Sequence, residues 1–212
     1  MIKIEIWSDI NCPFCYIGKR HLEAALSECP DPQGIEIEWK SFELDREANP
    51  PKGSDNTELL AKKYGRDRKW AEEMNRSMTQ MALSAGLEFH LEKVIPANSF
   101  NAHRLIHLAR KYHLQDQMKE KLLSLKFTEG KDINDPAILH AAAKATGLAD
   151  DVMTSFMNGD EFSAEVRRDE AEALKMRISG VPFFLFNQQV ALSGAQPVQA
   201  FTEVLNKLSK SI

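Results

Sequence analysis

Met1-Ile2-Lys3-Ile4-Glu5-Ile6-Trp7-Ser8-Asp9-Ile10-Asn11-Cys12-Pro13-Phe14-Cys15 is the stretch from which the rest of the chain is read. Ile2, Ile4 and Ile6 alternate with Lys3 and Glu5, a period of two that predicts a strand with its isoleucines on one face. Tyr16 to Ser27 carries a helical pattern, so Cys12-Pro13-Phe14-Cys15 lies where a strand hands over to a helix. With Cys12 as the N-cap, Pro13 takes the first helical position, where its missing N–H costs nothing and its fixed φ suits a helix. The Cys12 side chain is then expected to accept from the N–H groups of Phe14 and Cys15, at the positive end of the helix dipole. Thiols in such settings have pKa values of roughly 3.5 to 7.5, which predicts a Cys12 largely ionised at neutral pH. Cys15 falls on the same helix face, within reach of a disulfide with Cys12.

Two cysteines also make half of a zinc site, but the other half needs two further ligands at recognisable spacing. The chain offers no second cysteine pair and no paired histidines. Strand, CxxC and helix inside a βαβ pattern is the thioredoxin-like redox signature. The third cysteine, Cys29, lies roughly 21 Å beyond Cys15 on a continuous helix at about 1.5 Å per residue. A disulfide tolerates at most about 7 Å between Cα atoms, so Cys29 reads as a structural thiol before Pro30.

The 212 residues, 43% hydrophobic, are enough for one large or two small domains with a real core. A net charge of −4, with Lys and Arg interleaved among Asp and Glu, leaves no electrostatic footprint for nucleic acid. No apolar run approaches the roughly 18 to 20 residues of a membrane helix. The N-terminus reads as a strand without a signal-peptide pattern, which predicts a cytoplasmic protein.

Past the first helix, Pro30, Pro32 and Gly34 mark a loop, and Ile35, Ile37 and Trp39 alternate with Glu36, Glu38 and Lys40 in a second strand running to about Leu44. Strand, helix and strand form a parallel βαβ unit. Asn49-Pro50-Pro51-Lys52-Gly53 reads as a linker, and the following stretch predicts only helices: 57–64, 68–85, 98–113, 115–128, one opened by Asp135-Pro136 and closed by Gly147, and 150–158. Met74, Met78 and Met81 make a stripe expected to face the core. A helix over 164–178, with Ser163 as N-cap, precedes the apolar strand Ser179 to Phe186, a hairpin through Asn187-Gln188-Gln189 to Val190–Ser193, and a last amphipathic helix opened by Pro197. The fold class is α/β: a split domain, 1–48 plus 162–212, interrupted by an all-helical insertion over 49–161.

Ser8-Asp9-Ile10-Asn11-Cys12-Pro13-Phe14-Cys15-Tyr16-Ile17-Gly18-Lys19, Asn98-Ser99-Phe100-Asn101-Ala102-His103-Arg104-Leu105, Ser179-Gly180-Val181-Pro182-Phe183-Phe184 and Ser193-Gly194-Ala195-Gln196 occur in this order. With them the whole chain resembles the DsbA-type branch of the thioredoxin superfamily, and within it the FrnE-like proteins. Phe14 departs from that branch, which usually has Trp there. The resemblance implies a thioredoxin-like fold, Cys12 and Cys15 as the catalytic pair, Pro13, Phe14 and Pro182 around them, and a cis Val181–Pro182 bond whose Val181 backbone meets an extended substrate. Asn98, His103 and Arg104 carry two readings: a helix start at the cleft where they touch substrate or modulate the thiolate, or an N-cap Asn98 followed by a solvated His and Arg. Lys19 reads as a solvated helix residue.

The expected chemistry is cytosolic thiol–disulfide exchange with protein, peptide or small-thiol substrates, without a cofactor or metal, and with glutathione as a possible redox partner. Whether the pair oxidises, reduces or isomerises is left open. The same fold also resembles glutathione-dependent 2-hydroxychromene-2-carboxylate isomerases and kappa-type glutathione transferases. Those usually have Ser in place of Cys12, lack the second cysteine, and tend to have Asp-Arg where this chain has Gln196-Pro197. A third reading is a polypeptide-binding holdase gripping unfolded chains with Met74, Met78 and Met81.

Overall fold

The computed structural model describes residues 1–29 and 34–210. The loop expected at Pro30 and Pro32 lies outside the described residues. Strand β1 (Ile2–Ser8) leads into helix α1 (Pro13–Ser27) and strand β2 (Ile35–Ser41). The helices α2 (Asn56–Tyr64), α3 (Arg68–Ser84), α4 (Phe100–Lys111), α5 (Gln115–Phe127), α6 (Pro136–Thr146) and α7 (Asp150–Asn158) follow. The chain then forms α8 (Ser163–Lys175), β3 (Phe183–Phe186), β4 (Val190–Ser193) and α9 (Val198–Ser209). This is a thioredoxin-like α/β fold interrupted by helices.

The sheet order is β2-β1-β3-β4, with β1 parallel to β2 and antiparallel to β3. Central β1 is covered on both faces. Ile2, Ile4 and Ile6 join the main core, while Trp7 is fully buried in a second cluster with Ala173, Ile178 and Leu185 and donates its indole N–H to the Asp169 carbonyl at 3.0 Å. The edge strand β2 is closed by α5: the Gln115 amide accepts from Trp39 N at 3.0 Å and donates to Trp39 O at 2.9 Å, replacing a missing strand. One hydrophobic cluster runs from the isoleucines of β1 into Leu105 of α4, Leu122 of α5 and Leu139 of α6.

Helix limits follow local chemistry. Asp55 caps α2 by accepting from Thr57 and Glu58, Asp135 caps α6 by accepting from Ala137, and Gly65 and Gly147 close those helices in the left-handed conformation. Three expectations fail. Ser163 is the first residue of α8, and its N-cap is Phe162 at φ 65°. Asn98 precedes the N-cap Ser99 of α4, accepting from Phe100 N at 2.8 Å and donating to the carbonyls of Arg46 and Ala48. The methionine stripe faces outward, because α3 buries only Ala71 and Ala82: Met74 and Met81 are exposed and only Met78 packs against the core.

Candidate active site

Ser8 ends β1, and the chain turns through Asp9, Ile10 and Asn11 to Cys12, the N-cap of α1, with Pro13 opening the helix. The Cys12 side chain makes no capping hydrogen bond. Its carbonyl accepts from Cys15 N at 3.0 Å, while its thiol donates to the Val181 carbonyl at 3.4 Å, drawn away from the N–H groups of the first turn. Val181–Pro182 is a cis peptide. Pro182 is held in turn by Gly194 N, which donates to its carbonyl at 2.8 Å. Gly18 permits the close approach of α1 to this segment: a Cβ there would lie 3.0 Å from Pro182 Cγ and 3.1 Å from Phe184 Cζ. Cys12, Pro13, Phe14, Cys15, Val181 and Pro182 therefore meet at one end of the sheet. Phe14 is exposed, Cys12 is 4% exposed and Cys15 is fully buried.

The two thiols are electrostatically coupled. The hydrogen bond with Cys15, and burial after it, push the Cys12 thiol well above its ordinary pKa. Burial opposes ionisation of Cys15 as well, but the hydrogen bond from Cys12, the Lys119 ammonium and the Ser8 hydroxyl outweigh it and bring Cys15 below its ordinary value. The pair thus favours one negative charge, held between the two sulfurs, and resists a second.

Asp9 anchors the approach to Cys12. Its carboxylate accepts from Asn11 N at 3.1 Å, from Leu44 N at 2.8 Å and from His103 Nε2 at 3.3 Å, and its carbonyl accepts from Cys12 N at 3.3 Å. Burial works against its charge, yet the His103 interaction and the two N–H donors hold its pKa down at about 2. His103 is itself pushed below its ordinary value, by burial first. Asn11 donates to Ala97 O at 3.0 Å, fastening the turn to the segment before α4.

The structure thus links His103 to the turn before Cys12, through Asp9, but as a buried group and not as a solvated one. Arg104 is buried elsewhere: it donates to the carbonyls of Glu161 and Gly159 at 2.8 and 2.6 Å and stacks on Phe156. Asn98 ties α4 to the segment at Arg46 and Ala48. Lys19, expected in solvent, is buried among Glu23, Asp116 and Glu120.

Asp9, Lys119 and Glu43 are the groups that sequence patterning passed over. Asp9 stands in the quoted strand-to-helix string, so its place next to the turn was a usable signal; Lys119, on a helix remote in sequence, had none. Glu43 lies just past β2, its Oε2 held by Arg167 and its Oε1 buried without a partner among the described residues. Burial and the nearby Glu170 raise Glu43 to about 7 despite Arg167. Among the described residues no group of His, Cys, Asp and Glu is arranged to hold a metal ion, and no helix is long and apolar enough to cross a membrane.

A family model described as the DSBA-like thioredoxin domain matches residues 3–206. The probable DsbA oxidoreductase SCO1869 of Streptomyces coelicolor superposes with a TM-score of 0.91 at 30% identity, covering 100% of this chain and 92% of that one. The uncharacterized protein YwbO of Bacillus subtilis is 26% identical over 99% of this chain and 98% of its own length. The cytosolic disulfide reductase DsbM of Pseudomonas aeruginosa shares the fold, with a TM-score of 0.69 at 15% identity over 99% of this chain and 100% of that one.

Proposed function

The chain belongs to the DSBA-like thioredoxin domain family, and from that premise we propose that it is a dithiol–disulfide oxidoreductase whose redox pair is Cys12 and Cys15. The observation that carries this reading is the meeting of the Cys12 sulfur, at the start of α1, with the Val181 carbonyl beside a cis proline. Cys12 is the member of the pair that solvent reaches, while Cys15 is fully buried three residues behind it. A substrate disulfide meets Cys12 first, and Cys12 attacks as thiolate to give a mixed disulfide. Cys15 then attacks the Cys12 sulfur and releases the reduced substrate; the reverse sequence oxidises a substrate dithiol. The pair favours one negative charge, and attack requires that charge to be on Cys12, with its S–H released from the Val181 carbonyl.

The substrates of this reading are proteins, peptides or small thiols, met by the Val181 backbone as an added strand and by the exposed Phe14 ring. The compartment is the cytoplasm, the subgroup is the FrnE-like one, and glutathione is the candidate small redox partner, with no bound cofactor. Fold likeness to the cytosolic DsbM is compatible with that compartment. Cys12→Ser is expected to abolish insulin reduction and dithiol oxidation, and Cys15→Ser to accumulate mixed disulfides on non-reducing gels. Full activity of the Cys12→Ser protein overturns the reading. Calorimetry with reduced glutathione addresses the competing isomerase or transferase reading: micromolar binding without disulfide exchange would favour it.

A further inference from the structure

Three lysines are buried, and they are buried differently. Lys19 is surrounded by three carboxylates. Lys126 donates to Ile95 O at 3.0 Å and feels Asp9 and Asp132. Lys119, on α5, is 1% exposed; it donates to the Ser8 carbonyl at 3.3 Å, and its ammonium lies 5.3 Å from the centre of the Trp39 ring. Among the described residues no carboxylate lies within ion-pair distance of it. An ammonium in such a place is costly unless an opposite charge answers it.

The groups around it are few. Cys15 and Cys12 come from α1, Asp9 from the turn after β1 and His103 from α4, with Lys19 as a second cation. The Asp9 carboxylate is already engaged by Asn11 N, Leu44 N and His103. Ser8, whose carbonyl Lys119 holds, also has its hydroxyl buried, close enough to Cys15 to favour the thiolate. We infer that Lys119 is the counter-ion of the Cys15 thiolate, a positioning residue supplied by the helical insertion to the resolving half of the exchange. This rests on the exchange role proposed above for the cysteine pair.

In the resolving step Cys15 gives its proton to solvent and, as thiolate, attacks the Cys12 sulfur of the mixed disulfide. The Cys12–Cys15 bond forms, the bond from Cys12 to the substrate breaks, and the electron pair leaves on the substrate sulfur, which takes its proton from solvent. Two electrons pass from the dithiol to the substrate. Lys119 keeps its charge while Cys15 is a thiolate and loses its counter-charge once the disulfide has closed. Burial already holds Lys119 down at about 8, with Cys15 the largest opposing influence. Closing the disulfide should therefore make the ammonium more acidic.

Two measurements test this. In the wild-type protein, the Lys119 Cε resonance followed against pH should titrate at lower pH in the oxidised form than in the reduced form; the same midpoint in both overturns the inference. The first thiolate, followed at 240 nm in reduced protein, should appear about one pH unit or more higher in Lys119→Met, with mixed disulfides persisting longer during turnover. Lys126→Met, which removes a buried ammonium that answers no cysteine, should leave that titration in place. A Lys119→Met titration equal to wild type, or an equal shift in Lys126→Met, also overturns it. If Lys119→Met does not fold, the wild-type resonance decides alone. Neither titration depends on turnover, so they stand apart from the Cys12→Ser assay that tests the exchange itself.

Discussion

Asp9 and Glu43 follow the ends of the two parallel strands, β1 and β2, and both are buried, yet their charge states are opposite. Asp9 is surrounded by donors: two backbone N–H groups and the imidazole of His103. Glu43 has one cation, Arg167, which it shares with Glu170, and a second oxygen with nothing to accept from. Desolvation is the largest influence on each, and in each it favours the neutral acid. Donor count overcomes it at Asp9, held at about 2, and fails to at Glu43, raised to about 7. Burial alone therefore does not set the charge of a carboxylate in this layer; the donors and charges aimed at it do.

The comparison breaks most readily at Asp9. Asp9→Ala leaves Asn11 N, Leu44 N and His103 without their acceptor, and buried orphan donors cost about 1 to 3 kcal/mol each. We expect urea denaturation at neutral pH to show a loss of about 3 kcal/mol or more, together with faltering exchange activity as the turn before Cys12 loosens. A loss below about 1 kcal/mol would mean that these donors find water and that the anchor is not Asp9. The wild-type carboxylate also sets a pH limb. Its folded pKa lies below the ordinary 3.8, so its stabilisation is complete above that value and is lost as pH falls toward 2.

Glu43 should give a limb of opposite slope. Its folded pKa lies above the ordinary 4.5, so the folded chain binds more protons than the unfolded one between the two values, and the associated stability is lost as pH rises from 4.5 through 7. Glu43→Gln removes that limb. Relative to wild type it should gain about 1 to 3 kcal/mol between pH 4.5 and 7.5, read from denaturation midpoints across that range. His103, pushed below 6.5, contributes stability that rises with pH in the same window. The difference between variant and wild type, rather than the wild-type profile alone, is thus the quantity to compare. A flat difference would show Glu43 to be ionised throughout.

What the sequence discloses about these sites divides by distance along the chain. Cys12-Pro13-Phe14-Cys15 at a strand-to-helix junction, the Asp-Pro start of α6 and the closing Gly147 are complete signals within a few residues, and the structure has elements of those types there. Lys19 shows the limit. Its neighbours in sequence make it a surface helix residue, but Asp116 and Glu120 reach it from α5 and make it a buried one. The methionine stripe of α3 has helical period without a partner to bury it, and period does not say which face is covered. Cys12 is an N-cap by position, but the Val181 carbonyl, from far along the chain, takes its thiol. Lys119 and Glu43 owe their significance wholly to such remote neighbours.

The finest test concerns the cation at the far side of the Glu43 pair. Arg46 holds the Glu170 carboxylate at 2.6 Å while remaining about half exposed. Arg46 is half exposed and the buried Glu170 keeps Arg167 at 2.8 Å, so below pH 5 Arg46→Met should cost only about 1 kcal/mol. It does, however, leave the Glu170 charge less compensated beside Glu43. Like charge favours the protonated acid, so the stability lost above pH 5 should be lost at higher pH than in wild type, a shift visible only in the profile. Asp9, whose donors do not include Arg46, should keep its acid limb in place. If Arg46→Met instead brings the Glu43 limb to lower pH, then Glu170 is not what keeps Glu43 neutral, and the raised value rests on burial and the orphan Oε1 alone.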